Sequence, residues 1–415
     1  MHISLKIAFS FILVSQFIGV AHTQVFNRAY NYFSVPYLNP NTGNLLYQYE
    51  AFNTITLKDS FFYINGTTFK FLDFNSVDQY IVKIDFEGNI IDEKVISLTN
   101  FGREYIGNPF IYEDGSKILA GRISDGTLIN ANGAVVKMDE NSNVINVNQY
   151  NFGIDTSFPN FISTDGGKTF YLLGFADVDS TSNVNYDIFI AKIDSSGNLL
   201  DVFQFGGFET DGGLSIHLLE NGNLLVAGET DSYGAGRTDF YLFETDTLGN
   251  MLWQQTYGYP GNEQYGRKNA LYVTPDEAFY LCGMTRLQDG NAVAWLVKTD
   301  RQGNMLWEKK YERGQFFDYF SAIHPAPDGN LIVIGSRNNY EISNASNSVS
   351  RPMAWVVKMD TSGNIIWERL ITIYDDPFET HVYVESSLLA PDGGGGNGGL
   401  HNKWLHRNRW CTAPQ

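Results

Sequence analysis

Cysteine is nearly missing from this sequence, and the sites that cysteine builds are missing with it. The 415 residues contain only Cys282 and Cys411, which are too few for a disulfide framework. No Cys-x-x-Cys pair or Cys/His ligand spacing occurs, which argues against a structural zinc site. The G-x-S-x-G, H-E-x-x-H and P-loop motifs are absent too, so no motif identifies a catalytic residue.

Basic residues and proline are also scarce. The chain has 28 Lys and Arg against 46 Asp and Glu, a net charge of −18, and no basic cluster precedes the last fifteen residues. Because nucleic-acid binding needs a basic surface, we exclude that class of partner. With 43% hydrophobic residues, 40 Gly and only 12 Pro, the composition predicts a folded, strand-rich protein with a large core.

Long apolar runs are confined to the beginning of the chain. Lys6 is followed by an apolar segment, 7–20, and Ala21 and Thr23 place small residues at the recognition positions of a cleavage site. This pattern predicts a secretory signal peptide over residues 1–23. No later segment is apolar enough to span a bilayer. We therefore expect a soluble exported protein, secreted or held at the cell surface, with residues 24–415 as one domain.

The rest of the chain repeats one unit of about 54 residues. One signature, related to K-x-D-x-x-G-N, recurs six times around Asp85, Asp139, Asp194, Asp246, Asp300 and Asp360. A second signature, a turn and strand closing on glycine, ends at Gly66, Gly121, Gly174, Gly228, Gly283 and Gly335. Two signatures with one period cannot be chance similarity.

Each unit predicts four short strands, which we call A to D in chain order. Turns of the D-G type join A to B, and D-x-x-G turns join C to D as a hairpin with a glycine bulge. Four strands in about 54 residues are typical of a β-propeller blade. Counting seven A strands, the last at Val382, predicts an all-β propeller with seven blades, the seventh incomplete. Residues 42–49 predict a lone D strand that closes the ring on the C-terminal blade.

The repeated K-x-D-x-x-G-N-x-x-W and D-G-G-x-I-x-x-G patterns resemble the secreted repeat propellers of Gram-negative bacteria. Such proteins are often exported by the type IX secretion system, which the resemblance implies here. The passage from strand C to strand D is also similar to the tryptophan-docking repeat of quinoprotein dehydrogenases. The resemblance covers roughly residues 42–399, and it specifies fold better than chemistry. Cargo of type IX secretion usually ends in a sorting domain, which this chain lacks.

The last residues depart from the repeat. After Gly393 the pattern predicts another strand B, but residues 394–415 are rich in Gly, Trp, Arg and His. A one-base shift of the reading frame could restore a strand and its glycine. We therefore give Cys411 and the terminal basic cluster no functional weight.

Carboxylates suggest two places where a cation could bind. Acids precede strand A in four repeats, at Glu104, Asp155, Asp211 and Asp318. They could form a ring of calcium ligands, although capping of the local loop by backbone N–H groups is the simpler interpretation. A loop with Asp177, Asp179 and Asp187 is the best single calcium candidate, but it lacks the glycine of a calcium-binding turn. No cofactor is otherwise indicated.

Because successive strands run in opposite directions, the connections between them lie alternately on two opposite faces of the propeller. The A–B and C–D turns are short and uniform and share what we call the turn face. The B–C and D–A connections vary in length, as in 231–238, 257–268 and 336–351, and share the loop face. Variable loops on a rigid scaffold usually carry binding residues. The candidates are Tyr233, Arg237, Tyr259, Arg267, Asn338, Asn339 and Tyr340.

These observations favour a non-catalytic propeller that binds protein or glycan through its loop face. The alternative is a glycan-active hydrolase or lyase, since several such enzymes use propellers. An enzyme would need two converging carboxylates, one with a raised pKa. The acids before strand A are the only supply that the sequence shows.

Overall fold

The structure, a computed structural model, describes the following residues: 9–17, 20–28, 37–38, 45–46, 50–70, 73–85, 89–98, 104–124, 131–178, 185–266, 269–287, 290–312, 317–342, 348–371, 381–391 and 400–409. Within them every regular element is a β-strand, as the repeat predicts. Four strands precede the repeat: β1 (Phe9–Phe17), β2 (Val20–Arg28), β3 (Tyr37–Leu38) and β4 (Leu45–Leu46).

Six sheets follow one another along the chain, each with its strands in the order A, B, C, D; five have four strands, and in the fifth blade strand A is divided in two. Blade 1 contains β5 (Glu50–Lys58), β6 (Phe61–Lys70), β7 (Asp73–Ile84) and β8 (Ile90–Ile96). Blade 2 contains β9 (Glu104–Ile111), β10 (Lys117–Ser124), β11 (Ala131–Met138) and β12 (Val144–Tyr150). Blade 3 contains β13 (Ile154–Ser163), β14 (Thr169–Asp177), β15 (Tyr186–Asp194) and β16 (Leu199–Phe205).

Blade 4 contains β17 (Asp211–Leu218), β18 (Leu224–Thr230), β19 (Asp239–Thr245) and β20 (Met251–Tyr257). In blade 5, strand A is interrupted and consists of β21 (Gln264–Tyr265) and β22 (Leu271–Val273), which both pair with β23 (Phe279–Arg286); β24 (Ala292–Thr299) and β25 (Met305–Tyr311) complete it. Blade 6 contains β26 (Asp318–Pro325), β27 (Leu331–Ile342), β28 (Ser348–Met359) and β29 (Ile365–Ile371).

The prediction of seven blades is wrong, because the repeat forms six. The remaining strands, β30 (His381–Pro391) and β31 (Leu400–Arg409), join β1 and β2 in a sheet ordered β2-β1-β31-β30. That sheet is made from the two ends of the chain and carries no K-x-D-x-x-G-N unit. The predicted closing strand is wrong as well, since β4 pairs with β3 and not with the C-terminal blade.

The glycine that recurs within strand B is required by the path of strand A. Strand A carries a register shift opposite that glycine, for example between Gly213 and Ser215, and this irregularity turns a carbonyl toward strand B. A Cβ placed on Gly228 would lie 1.9 Å from the Gly212 oxygen, and one on Gly335 would lie 1.7 Å from the Tyr319 oxygen. No side chain fits there, which explains why the sequence repeats glycine at this point.

The C–D turns confirm the predicted turn chemistry. In each repeat the Asp of K-x-D accepts hydrogen bonds from the backbone N–H and the side-chain amide of the Asn four residues later. In blade 3, Asp194 accepts them from Asn198 at 2.9 and 2.8 Å. Gly197 adopts φ of 81°, and a register shift after Lys192 marks the predicted bulge. The sequence motif therefore closes each turn by itself.

Neighbouring blades are joined by the ends of their D strands. Tyr257 and Tyr311 donate hydrogen bonds at 2.5 and 2.7 Å to the turn-glycine oxygens of the following blade, Gly303 and Gly363. Trp253 and Trp307 pack against the same two glycines. Trp253 and Trp307 are thus wedged between blades and do not form a stacking site for sugars.

Candidate functional site

The B–C and D–A connections lie together because each blade is antiparallel throughout. On this loop face, the first residues of strand C in one blade approach the first residues of strand A in the next. We call each such place a junction and name it by its two blades. The junctions between blades 2 and 3, 3 and 4, and 4 and 5 contain the polar groups described below.

The 3/4 junction brings together two buried carboxyl groups, Asp187 from β15 and Asp211 from β17. Asp187 Oδ2 accepts a hydrogen bond from the Gln204 amide at 2.5 Å. Asp211 Oδ2 accepts from the Gly207 N–H at 2.8 Å and from the Ser232 hydroxyl at 2.7 Å. Burial raises the pKa of Asp187, and the charge of Asp211 raises it further, against the effect of Gln204.

The 4/5 junction repeats this arrangement with Asp239 and Glu263, which are also buried. Asp239 Oδ2 accepts from the Ala235 N–H at 2.5 Å. Glu263 accepts from the Tyr259 N–H at 3.2 Å and from the Thr285 hydroxyl at 2.8 Å. Burial raises the pKa of Glu263; its two hydrogen bonds oppose this change, and the carboxyl of Asp239 adds to it. Each junction therefore holds two acidic groups and one hydroxyl.

The 2/3 junction contains a cavity at the place where the other two junctions contain a pair of buried acids. It contains a pocket of about 350 Å³ lined by Ala131, Asn132, Asn151, Gly153, Ile154, Asp155, Asp177 and Val178. Asn132 occupies the position of Asp187 and Asp239, seven residues before the Asp of the K-x-D motif. Asp155 pairs with Arg122 at 2.7 Å and accepts a hydrogen bond from the Tyr186 hydroxyl at 3.1 Å. Amide and carboxylate groups thus line a cavity of the size that small ligands occupy.

Two predicted binding residues lie beside the acidic junctions. The Tyr233 hydroxyl donates to the Gly206 oxygen at 2.7 Å, and burial raises the pKa of this tyrosine, with a further contribution from Asp211. The Tyr259 hydroxyl donates to Glu308, and burial followed by this contact raises its pKa to about 12. Lys310 Nζ lies 3.6 Å from the centre of the Tyr259 ring. Both tyrosines are half-buried, and their hydroxyl groups are occupied by the protein.

The other predicted binding residues that the structure describes lie in different elements. Arg237 is exposed in the loop before β19, and its N–H donates to the Gly261 oxygen at 2.9 Å. Asn338, Asn339 and Tyr340 were predicted to lie in a loop, but β27 extends through them and pairs with β28 up to Ile342 and Ser348. Arg267 lies outside the described residues.

The predicted calcium loop is only partly described. Asp177 ends β14 and accepts a hydrogen bond from the Asn185 N–H at 3.0 Å, and Asp187 begins β15, while Asp179 lies outside the described residues. The sequence missed the partnership of Asp187 with Asp211, and it missed Asp239 and Glu263 altogether. The sequence did contain a signal for the two strand C acids, Asp187 and Asp239, since both stand seven residues before the K-x-D aspartate.

In the described part of the chain, no group of three or more His, Cys, Asp or Glu residues is arranged to hold a metal ion.

Cys282 and the turn around Asp165 have contacts that indicate a structural role. Cys282 is fully buried in β23, and burial raises the pKa of its thiol, which disfavours the reactive thiolate. In the A–B turn of blade 3, Asp165 accepts from the Thr169 N–H at 2.7 Å and Ser163 accepts from the Gly167 N–H at 2.7 Å, which makes this a structural turn. The described residues contain no helix that is long and apolar enough to cross a membrane.

No family model matches this chain, and no curated protein matches it. Among solved structures, polysaccharide lyase Uly1 is 11% identical with a TM-score of 0.48, covering 92% of each chain. The WD40 domain of Pan2 from Neurospora crassa is 11% identical with a TM-score of 0.46, covering 87% of this chain and 90% of that chain. The GH43 β-1,3-galactosidase BT0265 is 11% identical with a TM-score of 0.38, covering 90% and 92%. Likenesses this distant carry no argument about activity, so the propeller assignment rests on the strand order itself.

Proposed function

We propose that this protein is an exported or cell-surface propeller that binds a glycan, without catalysis, through its loop face. The observation that carries this proposal is the pocket of about 350 Å³ at the 2/3 junction. Its Asn132 and Asn151 amides offer both donors and acceptors, and its acids offer acceptors, which is the mixture that sugar hydroxyl groups need. Export rests on the pattern of residues 1–23 and predicts a mature chain that begins at Gln24, in which cleavage would remove β1 and the first part of β2 from their sheet with β30 and β31.

The contacts in the pocket favour binding over turnover. Asp155 is held by Arg122 and Tyr186, and Asp177 accepts the Asn185 N–H, so both acids fix the shape of the loops. Proton transfer requires an acid that faces the substrate with a proton to exchange. The junction acid with a raised pKa, Asp187, is buried beside Asp211 in the neighbouring junction.

Calorimetric titration of the purified protein with neutral and acidic oligosaccharides tests the binding function. We expect saturable binding, and we expect Asn132→Ala and Asn151→Ala each to weaken it about 5- to 30-fold, the effect of losing one or two hydrogen bonds. Asn141→Ala is the matched control, because Asn141 is exposed in a C–D turn on the opposite face. Absence of binding to every sugar, or equal affinity in all variants, contradicts the proposal.

One observation favours the enzyme alternative. Asp187 and Asp211 are two converging carboxyl groups, and the pKa of Asp187 is raised, as in many acid–base pairs. Assays for hydrolysis and eliminative cleavage of the same oligosaccharides therefore accompany the titration. Turnover that disappears in folded Asp211→Asn or Asp318→Asn protein would reject the non-catalytic function. Unchanged sugar binding in these variants would support it.

A further inference from the structure

The two acidic junctions repeat one arrangement in neighbouring blades. Asp187 and Asp211 are 6% and 0% exposed, and Asp239 and Glu263 are both 1% exposed. In both pairs the strand C acid precedes its partner by 24 residues. The same pairing in two consecutive units, made from a conformationally different A strand in blade 5, argues against accidental burial of charge.

A glycine at the end of strand D opens a small space between the acids of each pair. A Cβ on Gly206 would lie 2.3 Å from Asp187 Oδ1 and 3.1 Å from Asp211 Oδ2. A Cβ on Gly258 would lie 1.6 Å from Asp239 Oδ1 and 2.8 Å from Glu263 Oε2. At each junction two carboxyl oxygens, one from each acid, thus border the volume that a single methyl group would fill.

At each junction one of the two oxygens that border this space lacks a hydrogen-bond donor, while the other, Asp211 Oδ2 or Glu263 Oε2, accepts from a backbone N–H. Asp187 Oδ1 and Asp239 Oδ1 are buried and accept no hydrogen bond from the described residues, and the same holds for Asp211 Oδ1. None of the ion pairs found among the described residues involves these four acids. Two hydrogen-bond acceptors therefore face each other, and a positive charge or a proton between them is needed to offset the cost of burial.

The geometry points to a divalent cation, Ca²⁺, bound between the two acids at each of the two junctions. Carboxylate and hydroxyl oxygens are hard ligands of the kind that Ca²⁺ prefers. Ser232 and Thr285 place a hydroxyl beside Asp211 and Glu263 respectively, so each site offers two carboxylates and one hydroxyl. Water would supply the remaining ligands. With so few charged ligands, we expect dissociation constants of about 10⁻⁴–10⁻³ M, as in extracellular calcium modules.

The experiment is a Ca²⁺ titration of the whole protein after treatment with a chelator, followed by equilibrium dialysis and by terbium luminescence. We expect two ions per chain. Terbium is a luminescent substitute for Ca²⁺, and the half-buried Tyr233 and Tyr259 beside the junctions should sensitise it. We also expect the melting temperature to rise with Ca²⁺ and to saturate at the same concentrations.

Single substitutions assign the ions to the junctions. Asp211→Asn and Asp239→Asn should each reduce the stoichiometry from two ions to one, and the double variant should bind none. Glu209→Gln is the matched control, because Glu209 lies in the same D–A loop as the 3/4 junction but is exposed. It should keep both ions.

Gly206→Ala separates loss of a ligand from loss of folding. It keeps every carboxylate but fills the space beside Asp187, so it should abolish the 3/4 site and leave the 4/5 site intact. No saturable binding, or two ions retained in Asp211→Asn and Asp239→Asn, overturns the inference. A melting temperature that responds to pH and not to Ca²⁺ also overturns it, because the paired acids would then share a proton.

Discussion

The turn face and the loop face of this propeller are built from the same six repeats, but they differ in how closely the repeats agree. On the turn face, each described K-x-D aspartate accepts the backbone N–H of the Asn four residues later, as Asp139 does from Asn143 and Asp360 from Asn364. On the loop face, the equivalent junctions contain an open pocket, an Asp–Asp pair and an Asp–Glu pair. Because local hydrogen bonds fix the conformation of the turn face, the residues of the loop face can differ from blade to blade.

One residue on the turn face, Glu244, departs from the repeat, and its buried carboxylate needs several hydrogen-bond donors. Glu244 occupies the position where the other five repeats have Lys, and it is buried. Arg301, from the C–D turn of blade 5, donates to Glu244 at 2.5 and 3.0 Å and to Glu277 at 2.5 Å. Asn221, Asn223 and Trp253 supply three more hydrogen bonds to Glu244. The acidic residue Glu244 in blade 4 is thus paired with the basic residue Arg301 of blade 5.

The largest expected effect tests the framework that both faces share. Gly228→Ala should destabilise the protein by about 3 kcal/mol or more, because the new Cβ would meet the Gly212 oxygen at 1.9 Å. Gly212→Ala is the control, since a Cβ there meets nothing within 4 Å. Denaturant unfolding followed by circular dichroism measures both. Equal stability of the two variants would show that strand A adapts to strand B.

A smaller effect is expected at the Glu244 exception, and it depends on pH. Burial alone would raise the pKa of Glu244, but the hydrogen bonds from Arg301 and three other side chains outweigh it and hold the pKa at about 2. Because the folded pKa lies below the unfolded value of about 4.5, the stabilisation is fully present above that pH and is lost as the pH falls toward 2.

Arg301→Ala should therefore cost roughly 2 kcal/mol at pH 7, by leaving a buried carboxylate with fewer donors. The difference from the wild-type protein should shrink between pH 4.5 and 2, as Glu244 becomes protonated in both. Urea unfolding at a series of pH values provides the measurement. Arg369→Ala, a substitution on the outer strand of blade 6, serves as the comparison. A difference between wild type and Arg301→Ala that does not change with pH would show that Arg301 acts by packing alone.

The smallest effect compares a repeated turn acid with an acid outside the turns. Asp194→Ala removes the acceptor for the Ser196 N–H, the Asn198 N–H and the Asn198 amide and should cost about 1 kcal/mol. Asp201→Ala, an exposed change on strand D of the same blade, should stay within about 0.5 kcal/mol of wild type. Thermal unfolding distinguishes them. If both substitutions were neutral, the turns would form without their aspartate.

Much of the fold could be predicted because its decisive interactions are local. The strand order, the C–D bulge and the A–B turns each depend on groups a few residues apart, as in the contact of Asp165 with the Thr169 N–H. The blade count failed because it counted the strand at Val382 as the start of a further unit. The candidate site was predicted only in part: Tyr233 and Tyr259 do lie beside the junctions, but Asn338 to Tyr340 extend a hairpin.

The sequence by itself determined the repeat, the four strands of each unit and the closing of its turns, because those interactions span five residues or fewer. Only the tertiary structure decided that six units form blades and which acids meet. Asp187 reaches Asp211, and Asp239 reaches Glu263, across 24 residues and between two blades. Such an approach depends on how neighbouring sheets pack. No pattern within one repeat unit encodes it, so burial and the missing donors became visible only once the blades were assembled.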